Sequence, residues 1–287
     1  MDLLTAFNNR SLDSDAEVAA AFPLGAHYNT LMDWRVPVFT SAIYFFTVKA
    51  LNPRSSSTSH KSGERWTDAG WFKALVVLHN AALCIFSAAT FLGMAPKWVA
   101  NLRSRGLYDA FCDRNEEVWN DSLFYWSWLF YLSKYYEIVD TVIILLKDIV
   151  TGRRTSILQS YHHAGAIISM WLCVHSHATA TWIFVVFNSF IHTIMYLYYA
   201  LTTVGLRPPG KQYLTRMQIT QFLVGGSIAI TYPVIPGCLK QLDPTQSASE
   251  QIAYAVVTAY LVPLTLLFVD FARRTYGGRS QKRIKVA

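Results

Sequence analysis

The side chains that could do chemistry in this chain are polar residues set inside apolar stretches. Gln159-Ser160-Tyr161-His162-His163 opens one such stretch. Lys134, Glu137, Asp140 and Thr141 lie within another, and Asn188, His192, Tyr196 and Tyr199 within a third. Gln218 and Gln221 stand near the start of a fourth. Hydrocarbon penalises ionisable side chains by about 2.5–3.5 kcal/mol each for Lys or Asp on insertion scales. A chain that keeps several of them at membrane depth is read most simply as enclosing a polar reaction chamber between helices.

Neutral imidazole can transfer a proton or attack an electrophilic carbon. No Ser or Cys is visibly paired with the histidines, so an imidazole nucleophile is open. An acyl-imidazole would keep the reactivity of a thioester and permit a two-step acyl transfer. Metal binding is the rival. A membrane di-iron oxygenase needs several histidine boxes, whereas this chain has 8 His in all. Of these, His27, His60, His79, His175 and His177 lack the spacing or the depth. A single zinc could take His162, His163 and His192. Adjacent residues on a helix diverge by about 100°, which makes His162 and His163 a poor chelating pair. The alternatives to metal-free acyl chemistry are therefore a metal-dependent His-box oxygenase or hydrolase and a non-enzymatic seven-helix receptor or transporter.

Other polar residues have blander readings. Lys134 with Glu137 or Asp140 serves either as an ion pair that makes insertion tolerable or in catalysis. Gln218 and Gln221 read first as interhelical hydrogen-bond glue. One of Tyr196, Tyr198 and Tyr199 fits an interfacial belt. His175 and His177 read as solvated loop residues, and Cys84 and Cys173 as packing residues.

Composition fixes the class of protein that must position these groups. Of 287 residues, 53% are hydrophobic and 15% charged, with mean hydropathy +0.25. That is too apolar for an ordinary soluble domain. The net charge of +7 forms no basic stripe on a soluble fold, so nucleic acid is not the expected partner. Seven apolar segments, near the roughly 20 residues that span a bilayer, run over Val36–Leu51, Phe72–Leu92, Leu123–Leu146, Tyr161–His175, Thr181–Thr202, Met217–Pro236 and Ile252–Phe271. The expected fold is an all-α integral membrane protein. Its parts are a lumenal N-terminal segment (1–35), a seven-helix membrane domain (36–272) and a basic cytosolic tail (273–287). The first thirty or so residues do not read as a cleavable signal, so the first helix is expected to direct insertion.

Charge orients the chain. Most of its 25 Lys and Arg fall in three of the connections and in the tail, including Lys49, Lys147, Arg207, Lys211, Arg216 and Arg274. The positive-inside rule makes those connections cytosolic and the N-terminus lumenal. This places Lys134, Glu137, Asp140, Gln159, His162 and His163 in the cytosolic half, with His192 near mid-depth. Asn9-Arg10-Ser11 and Asn120-Asp121-Ser122 become lumenal sequons. Cys112 and Cys238 fall in lumenal loops, where a disulfide between them can persist. Spacing then groups side chains by face: Lys134, Glu137 and Thr141; Gln159, His162 and His163; Asn188, His192, Met195 and Tyr199; Gln218 and Gln221.

These motifs resemble those of the ELO-type fatty acid elongases. Lys134-Tyr-Tyr-Glu137-Ile-Val-Asp140-Thr141 is similar to the family's KxxExxDT signature. Gln159-Ser-Tyr-His162-His163 resembles its histidine box. Asn188-Ser-Phe-Ile-His192-Thr-Ile-Met195-Tyr196-Leu-Tyr198-Tyr199 resembles NxxxHxxMYxYY, and Thr215-Arg-Met-Gln218-Ile-Thr-Gln221 resembles TxxQxxQ. The resemblance implies seven transmembrane helices, six of them enclosing an acyl tunnel. It implies a 3-ketoacyl-CoA synthase, an acyltransferase of lipid biosynthesis that condenses acyl-CoA with malonyl-CoA and releases CO2 and CoA, with no bound cofactor. A ketoacyl-CoA reductase, a dehydratase and an enoyl-CoA reductase are the implied partners in the membrane. A homodimer is left open.

The family's box usually begins with His, and here Gln159 stands there. Within the family that Gln resembles the variant found in elongases of polyunsaturated chains. The resemblance leads to the expectation that His162 attacks the acyl thioester while His192 and Asn188 position it or polarise a carbonyl. His163 and Gln159 would orient the malonyl unit, Glu137 and Asp140 would hold His162 or Lys134, and Arg207 and Lys211 would attract CoA phosphates. Trp171, Trp182 and Phe184 are candidates to stop the acyl tail. The C-terminal Lys282-Arg283-Ile284-Lys285-Val286-Ala287 resembles a retrieval signal of the endoplasmic reticulum.

Overall fold

Long apolar runs with few breakers leave the backbone one economical way to satisfy its polar groups, which is helix. The computed structural model describes residues 12–52, 66–151, 155–239 and 244–284, and no strand occurs among them. The helices are α1 (Leu12–Ala19), α2 (Tyr28–Met32), α3 (Arg35–Leu51), α4 (Gly70–Cys112), α5 (Phe124–Tyr136), α6 (Ile138–Thr151), α7 (Ile157–His175), α8 (Thr181–Ile183), α9 (Ser189–Thr203), α10 (Lys211–Thr231) and α11 (Pro244–Ile284). Three stretches, Gly70–Cys112, Thr181–Thr203 and Ala248–Gly277, are long and apolar enough to cross a membrane by length and composition. Helix covers each of the seven apolar segments, except for a turn at Glu137 between α5 and α6 and a 3-10 turn at Tyr232–Val234, where α10 gives way before Pro236 is reached. The Asn9 sequon and the last three residues lie outside the described residues.

Local sequence sets the breaks. In α4 the chain bends at Gly106, whose φ of 80° only glycine adopts without strain. π-helical turns at Trp119–Leu123 and Phe184–Asn188 lead into α5 and α9. A π turn shifts the register of the side chains that follow, and such turns often sit at functional sites. The second one ends on Asn188.

Contacts between helix ends distinguish two ends of the bundle. At the basic end, Asn52 after α3 donates to the Thr155 carbonyl at 3.0 Å and accepts from its N–H at 3.1 Å. Lys147 of α6 lies over the Phe72 ring of α4, and Tyr276 of α11 meets the Lys211 carbonyl. At the other end, Cys112 and Cys238 are joined in a disulfide 126 residues apart, and Tyr108 donates to the Pro236 carbonyl at 2.6 Å. Buried aromatic N–H and O–H groups need acceptors. Trp128, Tyr131 and Trp171 find theirs in the carbonyls of Pro23, Leu31 and Met32, which ties the N-terminal segment to the bundle.

The same end corrects one expectation. His175 and His177 are not solvated; each is 4% exposed. His177 lies between Asp15 Oδ2 at 2.9 Å and Glu116 Oε1 at 3.3 Å, and stacks on Trp119. Helix α1 covers this turn, and no local pattern reveals a cover that arrives from 162 residues away.

The disulfide closes a long loop, and in the chain-entropy account cross-links of that kind stabilise most. Replacing Cys112 or Cys238 with Ser is expected to lower stability by about 2–5 kcal/mol. Thermal unfolding in detergent, with and without reductant, reads this. A transition insensitive to both would contradict it.

Candidate active site

The site begins where α5 hands over to α6. Glu137 stands at the junction, its N–H still bonded to the Ser133 carbonyl. Its Oε1 takes Lys134 Nζ at 2.6 Å and Ser133 Oγ at 3.2 Å. The ammonium also lies 3.8 Å from the centre of the Phe130 ring. Lys134 and Glu137 are buried, so each charge depends on the other for what water would have supplied.

Asp140, one turn on, takes different partners from those expected. Its hydrogen bonds go to His79 Nε2 at 2.8 Å and to the Tyr196 hydroxyl, which donates at 2.6 Å, rather than to His162 or Lys134. His79 comes from α4, buried at 6% exposure, with Tyr136 Oη 3.3 Å from its Nδ1. His79 lacks the spacing or depth of a histidine box, and the sequence alone does not place it in the site. The signal that could have found it was the one used elsewhere: an ionisable residue within an apolar stretch needs a named partner.

Helix α7 starts early enough to put the histidine box on a helix. Ser156 caps it by accepting the Gln159 N–H. Gln159, His162 and His163 then fall within its first two turns. The Gln159 amide reaches His163 Nε2 at 2.8 Å and Thr141 Oγ1 at 3.3 Å. Thr141 in turn meets Tyr44 Oη of α3 at 2.8 Å. His162 takes another partner, Tyr260 of α11, whose hydroxyl is 3.0 Å from Nδ1. Tyr44 and Tyr260 were also not anticipated; a tyrosine in an apolar run carries no spacing signal that separates it from packing.

A cavity of about 450 Å³ unites the elements. His162 and His163 enter it from α7, and Asn188, His192, Met195, Tyr196 and Tyr199 from the π turn and α9, as the predicted stripe requires. Gln218 and Gln221 of α10, Asp140, Gln159, His79 and Asn80 add to its polar lining. Lys134, Glu137 and Thr141 do not line it; Thr141 holds Gln159, which does, while Lys134 and Glu137 bond each other. Lys147, which the sequence did not single out, and Lys211 lie on the lining toward the basic end, and Arg207 is absent from it. Along α10 the lining runs from Lys211 to Phe222, about 17 Å at helical rise. Trp171, Trp182 and Phe184 do not border the cavity; Trp182 instead stacks on Trp98 at 4.1 Å and donates to Tyr232.

The arrangement offers two imidazoles of different standing. His163 has its Nε2 occupied by Gln159. His162, which also borders the cavity, has its Nδ1 occupied, and no group among the described residues takes its Nε2.

Comparison with known proteins follows the same lines. The family model described as ELO: GNS1/SUR4 family matches residues 29–284. The chain is 29% identical over 257 residues to "Fatty acid elongase sre1" of Dictyostelium discoideum, covering 89% of each chain. It is 27% identical over 212 residues to "Fatty acid elongase 2" of Trypanosoma brucei brucei, covering 71% of this chain and 76% of that one. It is 28% identical over 218 residues to "Very long chain fatty acid elongase 6" of Drosophila melanogaster, covering 73% and 66%.

Proposed function

This chain belongs to the ELO family of fatty acid elongases, and from that premise we propose that it joins a polyunsaturated acyl-CoA to malonyl-CoA through an acyl-imidazole on His162. The observation that carries the reading is the unoccupied Nε2 of His162 beside the occupied Nε2 of His163. In the first step Nε2 attacks the thioester carbonyl, the C–S bond breaks and CoA leaves as a thiolate. That thiolate takes a proton from water at the cavity mouth. Malonyl-CoA then loses CO2, and the electron pair of the broken bond forms the new carbon–carbon bond to the acyl carbon. The acyl C–N bond breaks and Nε2 recovers its lone pair. One proton is consumed, and 3-ketoacyl-CoA, CO2 and CoA leave.

His192 and Asn188 share the cavity with His162 and polarise the carbonyl under attack. His163, held by Gln159, orients the malonyl unit. Lys147 and Lys211 offer point charges to CoA phosphates. The basic end faces the cytosol, by the positive-inside bias, in an endoplasmic reticulum protein with a lumenal N-terminus and seven spans, six of them around the acyl tail. The domain limits are those of the charge and apolarity pattern, 1–35, 36–272 and 273–287. Reductase and dehydratase partners then complete the cycle. The metal-dependent reading is decided by metal analysis of the purified protein.

The test is malonyl-dependent chain growth by purified protein in liposomes, fed saturated and polyunsaturated acyl-CoA. Elongation of polyunsaturated chains above saturated ones is expected. No product with any chain sinks the reading, and a preference for saturated chains sinks the substrate assignment. Gln159 gives a second expectation. Gln159→Leu strips His163 and Thr141 of a partner, at about 1–3 kcal/mol for a buried unpaired group, and should slow turnover about tenfold or more. Gln159→His can still meet His163 and should retain most activity. Equal turnover in the Leu and His variants would contradict the orienting role.

A further inference from the structure

Tyr260 lies in α11, outside the motifs that carry the family resemblance, yet it makes two contacts with the same residue. Its hydroxyl is 2.9 Å from the His162 backbone carbonyl and 3.0 Å from His162 Nδ1. A phenol has one proton to give. The carbonyl oxygen can only accept, and two oxygens at 2.9 Å without a proton between them would set lone pair against lone pair. The Tyr260 proton therefore points at the carbonyl. What remains toward the ring is the phenol oxygen's lone pair, and it can only accept. His162 Nδ1 must supply the hydrogen.

We propose that Tyr260 is a positioning residue that fixes His162 as the Nδ1–H tautomer and so delivers the Nε2 lone pair to the cavity. This rests on the assignment of His162 as nucleophile. Which ring nitrogen carries the proton is set by the bond the other partner makes. Without a partner, neutral imidazole divides between both tautomers and its ring turns freely. With Tyr260 in place, Nδ1–H is held, and the positive charge that develops on the ring during attack meets the phenol oxygen.

Gly165 makes the contact possible. It lies one turn after His162 on α7, and a Cβ there would overlap the Tyr260 ring at its Cε2 and Cδ2 atoms. The ring occupies the space a side chain would take. Tyr161 stacks on that ring, with centroids 5.5 Å apart. A glycine in a helix costs about 1 kcal/mol relative to alanine, and here it lets α11 approach the histidine box.

Three measurements on the full chain in detergent or nanodiscs test the proposal. The first is the burst of CoA released from acyl-CoA in the absence of malonyl-CoA, which reads acyl-enzyme formation alone. Tyr260→Phe keeps the ring and removes the oxygen; it should slow the burst about 10–100-fold, the range known for deleting the partner that orients a metal-bound histidine. The kcat/KM for malonyl-CoA, which reads the second half-reaction alone, should stay unchanged. The second is imidazole nitrogen NMR of histidine-labelled protein, with His162 assigned by its loss in His162→Ala. A protonated Nδ1 and bare Nε2 are expected, giving way to a mixture in Tyr260→Phe. The third is a cycle with Gly165→Ala, which displaces the ring without altering its chemistry. The double variant should be no slower than Tyr260→Phe.

An unchanged burst in Tyr260→Phe, a protonated Nε2 in the parent protein, or additive effects in the cycle would each overturn the proposal. Failure of the nucleophile assignment looks different: the burst would survive His162→Ala while the NMR still reported Nδ1–H.

Discussion

Replacing His162 with alanine is expected to abolish both halves of the reaction, the CoA burst and malonyl-dependent elongation, by about 10⁴-fold or more, as loss of a covalent nucleophile does. His163→Ala should behave differently. It leaves Nε2 of His162 in place and removes a group that Gln159 holds for orientation, so the burst should persist while the condensation step slows. The contrast arises because neighbouring residues on one helix have been given different partners. Gln159, one turn back on the same helix, reaches His163; Tyr260 reaches His162 from across the bundle. If the two variants lost the burst equally, the division of labour would fail.

The second large effect is on stability. Lys134 and Glu137 form an ion pair of 2.6 Å with side chains 5% and 3% exposed. Glu137→Gln leaves the ammonium buried opposite a neutral amide, and breaking a buried pair in this way costs about 3–5 kcal/mol. A large fall in the unfolding temperature is expected. Lys134→Met combined with Glu137→Leu removes both charges at similar volume and should recover most of that stability. Activity should not return with it, because the pair stands directly behind the wall that carries Asp140 and the histidines. An unfolding temperature that is unmoved in Glu137→Gln would show that water or another anion reaches the Lys134 ammonium.

Much of this site was legible in the sequence because membranes make polar residues conspicuous. Asn188, His192, Met195 and Tyr199 were placed on one stripe by helical spacing alone, and all four border the cavity. The facing arrangement of Gln159 and His163 required only that α7 start by residue 157, and Ser156 ensures it. What could not be read was pairing across the bundle. Asp140 was expected to serve His162 or Lys134, its neighbours in motif and depth, but it bonds His79 from α4 and Tyr196 from α9. Spacing along one helix says which way a side chain faces, not which helix stands opposite. For the same reason the sequence does not mark Tyr44 and Tyr260, and His177 reads as solvated although α1 folds over it. The sequence marks where polarity must be enclosed; the partners depend on which helices touch.

The most direct measurement is a search for the covalent adduct. The purified protein is incubated with acyl-CoA but no malonyl-CoA, quenched within the burst, cleaved and mapped by mass spectrometry. The account predicts one acyl group, carried on His162, that disappears when malonyl-CoA is added. An acyl group on His163 or His192, or full elongation activity with no adduct at any time, would contradict it.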